Sequence, residues 1–184
     1  VINDPEQGFL TEEIDDITRW VNDGGTLFVL AEDQNQCNLT SLNSLLNNFA
    51  LQVANTSFYP FEDYEPLPEE DGYYHLNIQD KINKAQFFTG DGSAINELKL
   101  KDPLEIISLD NEQNTYILGK GFREEGAMGV SFFGRGQVIV VGDNDILKNT
   151  LISEADNTAF AKQMLDWGLR DFYDIEIKLD SNVI

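Results

Sequence analysis

The sequence contains one cysteine and one histidine among its 184 residues. A single cysteine excludes an internal disulfide, and one cysteine with one histidine cannot complete the ligand set of a structural zinc site. Cys37 follows Glu32, Asp33 and several neutral amides, and acidic neighbours disfavour the thiolate that a catalytic cysteine needs. We therefore predict that Cys37 is an unreactive loop cysteine and that His75 is an ordinary strand residue.

Basic residues are scarce as well, since 12 lysines and arginines stand against 33 aspartates and glutamates, for a formal net charge of −21. Such a chain repels phosphate backbones and anionic headgroups, so we expect neither nucleic-acid binding nor attraction to anionic membranes. The sequence also lacks a run of 18 apolar residues, so no part of it is predicted to insert into a membrane. A protein, a peptide or a glycan remains as the partner, and the oligomeric state stays open.

Length and composition predict one domain over residues 1–184, because an apolar fraction of 41% is sufficient for a core. Val1 and Ile2 resemble the end of a strand, and the sequence has neither an initiator methionine nor a signal peptide. We expect the chain to be a fragment of a longer protein.

The first part of the chain alternates helix and strand. Residues 11–23 carry apolar side chains at helical spacing behind Thr11, which we expect to be the N-cap of a helix. Gly24 predicts the end of this helix, because glycine readily adopts the positive φ of a C-cap. Residues 26–31 are continuously apolar, as in a strand covered on both faces, and residues 39–51 have the leucine spacing of a second helix before a short strand.

The later part of the chain predicts strands at 73–78, 105–110 and 115–119, a hairpin over 127–143 and a helix over 153–169. The whole order predicts an α/β fold with a mainly parallel central sheet, flanking helices and a late β-hairpin.

The segment 60–72 contains three prolines and six acidic residues. Prolines and clustered like charges are typical of a solvated surface loop, which is our prediction. Binding of a cation by these carboxylates is the alternative.

Ligands of α/β proteins bind beyond the carboxyl ends of the sheet strands, so residues 31–38 and 142–149 are the candidate sites. Neither segment has the G-x-S-x-G pattern of a nucleophile or a phosphate-binding glycine loop, and we predict no cofactor and no resident metal. The candidate ligand-binding residues are Glu32, Asp33, Asp143 and Asp145. Asp143 could bind a ligand or a hard cation there, or could fix the turn through backbone hydrogen bonds.

Two blocks of the sequence carry a resemblance to a known family. The stretch "GFLTEEIDDITRWVNDGGTLFVLAED" with "NLTSLNSLLNNFALQV", and the later "GRGQVIVVGDNDIL" with "ADNTAFAKQMLDWGL", resemble non-catalytic relatives of the class I glutamine amidotransferases. These relatives are the GIFT-type domains of gliding-motility ABC-transporter auxiliary proteins and of intraflagellar-transport proteins. The resemblance implies a flavodoxin-like, amidotransferase-like α/β domain, and it covers about half of the chain.

The resemblance also implies where catalytic groups would lie. In active amidotransferases the first strand end carries the nucleophilic cysteine and the later strand end carries His-x-Glu, but here Ala31-Glu32 and Asp143-Asn144-Asp145 hold those places. We therefore expect no amidotransferase activity. The expected function is a non-catalytic interaction or ligand-sensing module of a larger, transporter-associated protein located outside the cytoplasm.

Two alternatives remain open. The four candidate carboxylates could serve as acid and base of a hydrolase acting on a glycan or similar substrate, with or without the help of a metal ion. The domain could also be a structural spacer whose ligand crevice is filled by the loop 60–72.

Overall fold

The computed structural model describes residues 1–3, 5–32, 37–58, 73–77, 95–110, 114–118 and 126–165. The described strands are, in chain order, β1 (Ile2–Asn3), β2 (Thr26–Leu30), β3 (Leu51–Ser57), β4 (Tyr73–Asn77), β5 (Glu97–Lys101), β6 (Leu104–Ser108), β7 (Thr115–Leu118), β8 (Met128–Phe133) and β9 (Gly136–Val141). The described helices are α1 (Thr11–Asn22), α2 (Leu39–Leu46) and α3 (157–165), and 3₁₀ turns form at Asn47–Phe49 and Asp145–Leu147.

Helix α1 confirms the first helix predicted from the apolar spacing, but its N-terminus differs from the expectation. Leu10 is the extended residue before the helix, and Thr11 is already helical, so Thr11 is not the N-cap. The first turn is closed instead by Glu13, whose Oε2 accepts a 2.8 Å hydrogen bond from the Leu10 N–H. At the other end Gly24 has a φ of 124°, as the predicted C-cap requires.

Five strands form the central sheet in the order β1-β2-β9-β8-β7. The pairs β1–β2 and β2–β9 are parallel, whereas β9–β8 and β8–β7 are antiparallel. The predicted hairpin is confirmed, since β8 and β9 are joined by a tight turn in which Gly134 has a φ of 59°. The α/β fold with flanking helices is therefore confirmed. The sheet itself is mixed, because the hairpin adds two antiparallel pairings to the parallel ones around β2.

Strand β2 is covered on both faces, as its continuous apolar run predicted. Leu27 and Val29 belong to a core cluster formed with α2 and the antiparallel pair β3–β6. Phe28 and Leu30 belong to a second cluster formed with β5 and α3. Successive side chains of a strand point to opposite faces, so one short segment holds the two layers together.

Two elements differ from the prediction in length. Helix α2 ends at Leu46, because Asn47–Phe49 form a 3₁₀ turn and Ala50 then takes a φ of 56°. Strand β3 follows and extends to Ser57, beyond the short strand that was expected. Strand β5 was not predicted at all, since its leucines alternate with charged residues and resemble a loop as much as a strand.

Some predictions fall outside the described residues. These are the acidic loop 60–72, the candidate residue Asp33 and everything after residue 165. The expectation of a single domain over 1–184 stays a prediction. Within the described ranges, none of the helices combines the length and the apolar character needed to cross a membrane.

Candidate functional site

The carboxyl ends of two neighbouring parallel strands bring three acidic side chains together. Strands β2 and β9 run in register to Leu30 and Val141, and the Ala31 N–H then donates a 2.9 Å hydrogen bond to the Val141 carbonyl. The chain leaves both strands at the same edge. Carboxylate oxygens of Glu32, Asp143 and Asp145 consequently lie within 4.8 Å of one another, and we call these three residues the carboxylate cluster. Three of the four candidate residues thus form one group, and Asp33 lies outside the described residues.

Asp143 is the buried member of the carboxylate cluster, with 1% of its surface exposed. Its Oδ2 accepts a 2.6 Å hydrogen bond from the Lys101 N–H, at the end of β5. Its Oδ1 accepts another 2.6 Å bond from the N–H of Asp145, in the turn that follows β9. Both oxygens therefore bind backbone, which is the turn-fixing arrangement considered for this residue.

Gly142, the residue after β9, allows another segment of the chain to approach the end of this strand closely. The turn between β5 and β6, residues 101–104, packs directly against it, and the Leu104 N–H donates a 2.7 Å hydrogen bond to the Gly142 carbonyl. A Cβ atom on Gly142 would lie 2.1 Å from the Leu104 carbonyl oxygen. Only glycine fits at this position, and the contact places the Lys101 N–H within reach of Asp143.

Burial dominates the electrostatics of Asp143. Desolvation, together with the negative charges of Asp145 and Glu32, raises the pKa of its carboxyl from 3.8 to about 7, although the two backbone hydrogen bonds lower it. Lys148 forms an ion pair with Oδ1 of Asp145, and the hydrogen bond to Asp145 raises the pKa of Lys148.

The carboxylate cluster is the group of described residues whose acidic atoms are close enough to hold a cation. Lys148 already places an ammonium group beside Asp145, and both oxygens of Asp143 are engaged by backbone donors. These contacts offset part of the negative charge of the carboxylate cluster without an added ion. Sequence reasoning missed Lys148, although its position three residues after Asp145 is the helical spacing of an ion pair.

Cys37 and His75 do not lie together. Cys37 is buried, with 2% exposure, in the core cluster of α2 on one face of the sheet. The backbone of His75 pairs with Lys99 of β5, and β5 packs on the opposite face. An open groove of about 850 Å³ runs beside Cys37, between α2 and β3, and is lined largely by polar side chains such as Asn38, Thr40 and Gln52.

The fold and the site define a class of protein: an α/β domain with a mixed sheet, whose adjacent parallel strands end in a carboxylate cluster. The chain belongs to the family described as Domain of unknown function (DUF4350), whose model matches residues 1–165. No curated protein matches the chain in sequence.

Solved structures share the fold. The mmIFT52 N-terminal domain is 15% identical with a TM-score of 0.60, over 89% of this chain and 73% of that one. Cytoplasmic Protein STM1381 from Salmonella typhimurium LT2 is 12% identical with a TM-score of 0.54, over 86% and 61%. The GH42 β-galactosidase Gan42B reaches a TM-score of only 0.45 at 16% identity, and this chain spans 20% of its length. The expected resemblance to intraflagellar-transport proteins is therefore confirmed at the level of the fold. Sequence identities of 15% and 12% show a shared fold and nothing further.

Proposed function

We propose that this chain is a non-catalytic interaction or ligand-sensing module with an amidotransferase-like, flavodoxin-like arrangement of its parallel strands. Its ligand contacts the edge formed by the carboxyl ends of β2 and β9. In this proposal the module belongs to a larger protein that is transporter-associated and extracytoplasmic. This setting rests on the family resemblance and, for the compartment, also on the acidic composition of the chain.

The observation that carries the proposal is the pairing of β2 with β9. The family resemblance locates a nucleophile at the end of the first strand and a base at the end of the second, and these ends are adjacent here. They carry Glu32 and Asp143 in place of a thiol and an imidazole. A carboxylate does not replace a nucleophilic thiol, so the arrangement supports binding without amide transfer.

The state of Asp143 also supports a role other than proton transfer to a substrate. A general acid must reach the leaving group, whereas Asp143 is 1% exposed and binds backbone N–H groups with both oxygens. Glu32 and Asp145 are more exposed than Asp143, so we assign contact with a ligand to these two carboxylates.

A carboxylate-dependent hydrolase is the second candidate, and one observation favours it. Three carboxylates lie within 4.8 Å, and burial of one of them raises its pKa to about 7. Acidic groups with separated pKa values are the requirement of glycoside chemistry. On this candidate Asp143 would be the acid that holds the proton, and Glu32 or Asp145 would be the second carboxylate.

A substrate screen tests the two candidates. The purified chain is assayed for ammonia release from glutamine and for hydrolysis of nitrophenyl glycosides and esters, with and without Mg²⁺ or Ca²⁺. The proposed module gives no turnover above the rate without protein. Hydrolysis that is retained in Asp15→Asn, an exposed acid on α1, and lost in Glu32→Gln would establish the hydrolase and end our proposal.

Ligand binding is tested with the same variants. We expect a compound or peptide that raises the melting temperature of the parent chain to lose this effect in Glu32→Gln and to keep it in Asp15→Asn. Ligands that stabilise both variants equally would place the binding surface elsewhere.

A further inference from the structure

The groove between α2 and β3 is a second concave surface of the protein. Its described lining includes side chains that carry no charge and that form hydrogen bonds, namely Asn38, Thr40, Asn43, Gln52 and Asn55. None of the described lining residues belongs to the carboxylate cluster. A ligand of this groove would therefore occupy a site separate from the edge formed by β2 and β9.

The outer edge of β3, which faces this groove, already binds a partner that imitates a strand. Among the described strands β3 pairs only with β6, on the opposite edge. The side-chain amide of Asn43 binds both the N–H and the carbonyl of Val53. A neighbouring strand would engage the same two groups. An extended chain laid in the groove can continue this pattern along the rest of β3.

A bulge in β3 begins immediately after this contact. From Val53 to Ser57 the strand advances four residues, whereas β6 advances two, from Ile106 to Leu104. The additional residues of such a bulge leave backbone groups without a counterpart on the paired strand. The last three residues of β3 are also exposed. The bulged segment is therefore accessible to the backbone of another chain.

The charges around the groove favour a cationic occupant. Helix α2 and strand β3 both lie within residues 20–80, a stretch without lysine or arginine. Glu6 is exposed and lines the groove, where the Asn38 N–H holds the preceding residue by a 2.8 Å hydrogen bond to the Pro5 carbonyl. Glu105 of β6 lies beside the bulge and accepts a 2.7 Å bond from the Thr56 hydroxyl. Positive charge on a ligand complements these carboxylates.

We propose that the groove between α2 and β3 binds an extended, basic peptide segment of a partner protein, which adds as a strand to the outer edge of β3. Hydrogen bonds to the bulged segment hold the peptide backbone, and Glu6 pairs with a lysine or arginine side chain. Asn43 sets the end of the added strand, because it already engages Val53. This site is additional to the carboxylate cluster and does not rest on the proposed function.

A synthetic heptapeptide, as long as β3, tests the proposal. Lysine alternates in it with valine and threonine, and both ends are blocked. It is titrated into the chain by calorimetry at physiological salt, which screens general attraction to an acidic surface. We expect binding. In the complex the amides of residues 54–57 should exchange at least about 10-fold more slowly with solvent, and the Val140 amide of the central sheet should be unchanged.

A peptide of the same sequence with alternate amides N-methylated keeps the charge but loses backbone donors, and we expect it to bind at least about 10-fold more weakly. Glu6→Lys should weaken binding of the unmodified peptide about 3- to 10-fold. Glu12→Lys, at an exposed position on α1, changes the net charge by the same amount and should keep the parent affinity. Absence of binding, equal binding of the two peptides, or equal effects of the two substitutions would overturn the proposal.

Other occupants give different results. Slower exchange of residues 54–57 with cellohexaose, but not with the peptide, would identify a glycan groove. The same slowing when the chain alone is concentrated would identify a second copy as the occupant. Loss of peptide binding in Glu32→Gln would locate the peptide at the carboxylate cluster. Each of these three results overturns the proposal. None of them involves turnover, so this proposal and the proposed function can fail separately.

Discussion

The side-chain amide of Asn43 forms two hydrogen bonds with the backbone of Val53. Its Nδ2 donates to the Val53 carbonyl at 2.9 Å, and its Oδ1 accepts from the Val53 N–H at 2.8 Å. A neighbouring strand would make the same pair of bonds. Helix α2 therefore covers part of the outer edge of β3, opposite to the edge that pairs with β6.

We expect Asn43→Ala to lower the free energy of unfolding by about 1–3 kcal/mol, because two hydrogen bonds to partly buried backbone groups are lost. The uncovered edge should also increase concentration-dependent association. Urea unfolding and sedimentation measure these two effects. Asn55→Ala, an exposed asparagine on the same strand, is the matched control, and equal effects of both substitutions would show that the Asn43 bonds contribute little.

The second prediction concerns pH and the stability conferred by Asp143. Its folded-state pKa of about 7 lies above its ordinary value of 3.8, so the folded state binds this proton more tightly than the unfolded state. The corresponding stability is fully present below about pH 4 and is lost as the pH rises through 7, by at most roughly 4 kcal/mol.

Urea midpoints of the parent chain and of Asp143→Asn between about pH 4 and pH 8 measure this contribution. As the pH rises, the stability of Asp143→Asn should increase relative to that of the parent chain, because the amide that replaces the carboxyl carries no charge to bury. Asp143→Asn retains one acceptor oxygen and loses the other. This loss lowers the stability of the variant by the same amount at every pH. Parallel curves for the two chains would contradict the prediction. Asp102→Asn should follow the parent curve.

The third prediction concerns Gly142, at the contact between β9 and the 101–104 turn. Gly142→Ala should destabilise the chain by roughly 2 kcal/mol or more, since the new Cβ would lie 2.1 Å from the Leu104 carbonyl oxygen and backbone must move. The control is Gly8→Ala, whose Cβ would meet Ser41 at an ordinary 3.4 Å. Melting temperatures of the two variants compare them directly, and similar values would mean that the 101–104 turn adjusts without cost.

The fourth prediction concerns the thiol of Cys37. With 2% exposure it should react with Ellman's reagent only slowly in the folded chain and rapidly in denaturant. Cys37→Ser should leave ligand binding at the carboxylate cluster unchanged. Rapid labelling of the folded chain at neutral pH would instead indicate an accessible, reactive thiolate, contrary to our interpretation.

Local sequence was sufficient for the elements with strong periodicity. The apolar spacing of α1, the continuous apolar run of β2 and the glycine turn between β8 and β9 each predict a structure from neighbouring residues alone. Strand β5 was missed, because its leucines alternate with charged residues and its strand pairing depends on β4, more than twenty residues earlier. The 3₁₀ turn that shortens α2 was missed for a related reason, since asparagines are compatible with both a helix end and a helix interior.

For the candidate site, too, the sequence predicted which residues are involved but not their environment. The sequence predicted that Glu32, Asp143 and Asp145 would follow the carboxyl ends of sheet strands, where ligands of α/β proteins bind. That these two ends are adjacent depends on the pairing of β2 with β9, which lie far apart in the chain. The packing of distant segments buries Asp143, brings the backbone N–H of Lys101, 42 residues away in the chain, to its Oδ2, and raises its pKa to about 7. The burial of a carboxyl group and the identity of its donors depend on which distant segments pack around it. No local pattern of residues encodes that packing.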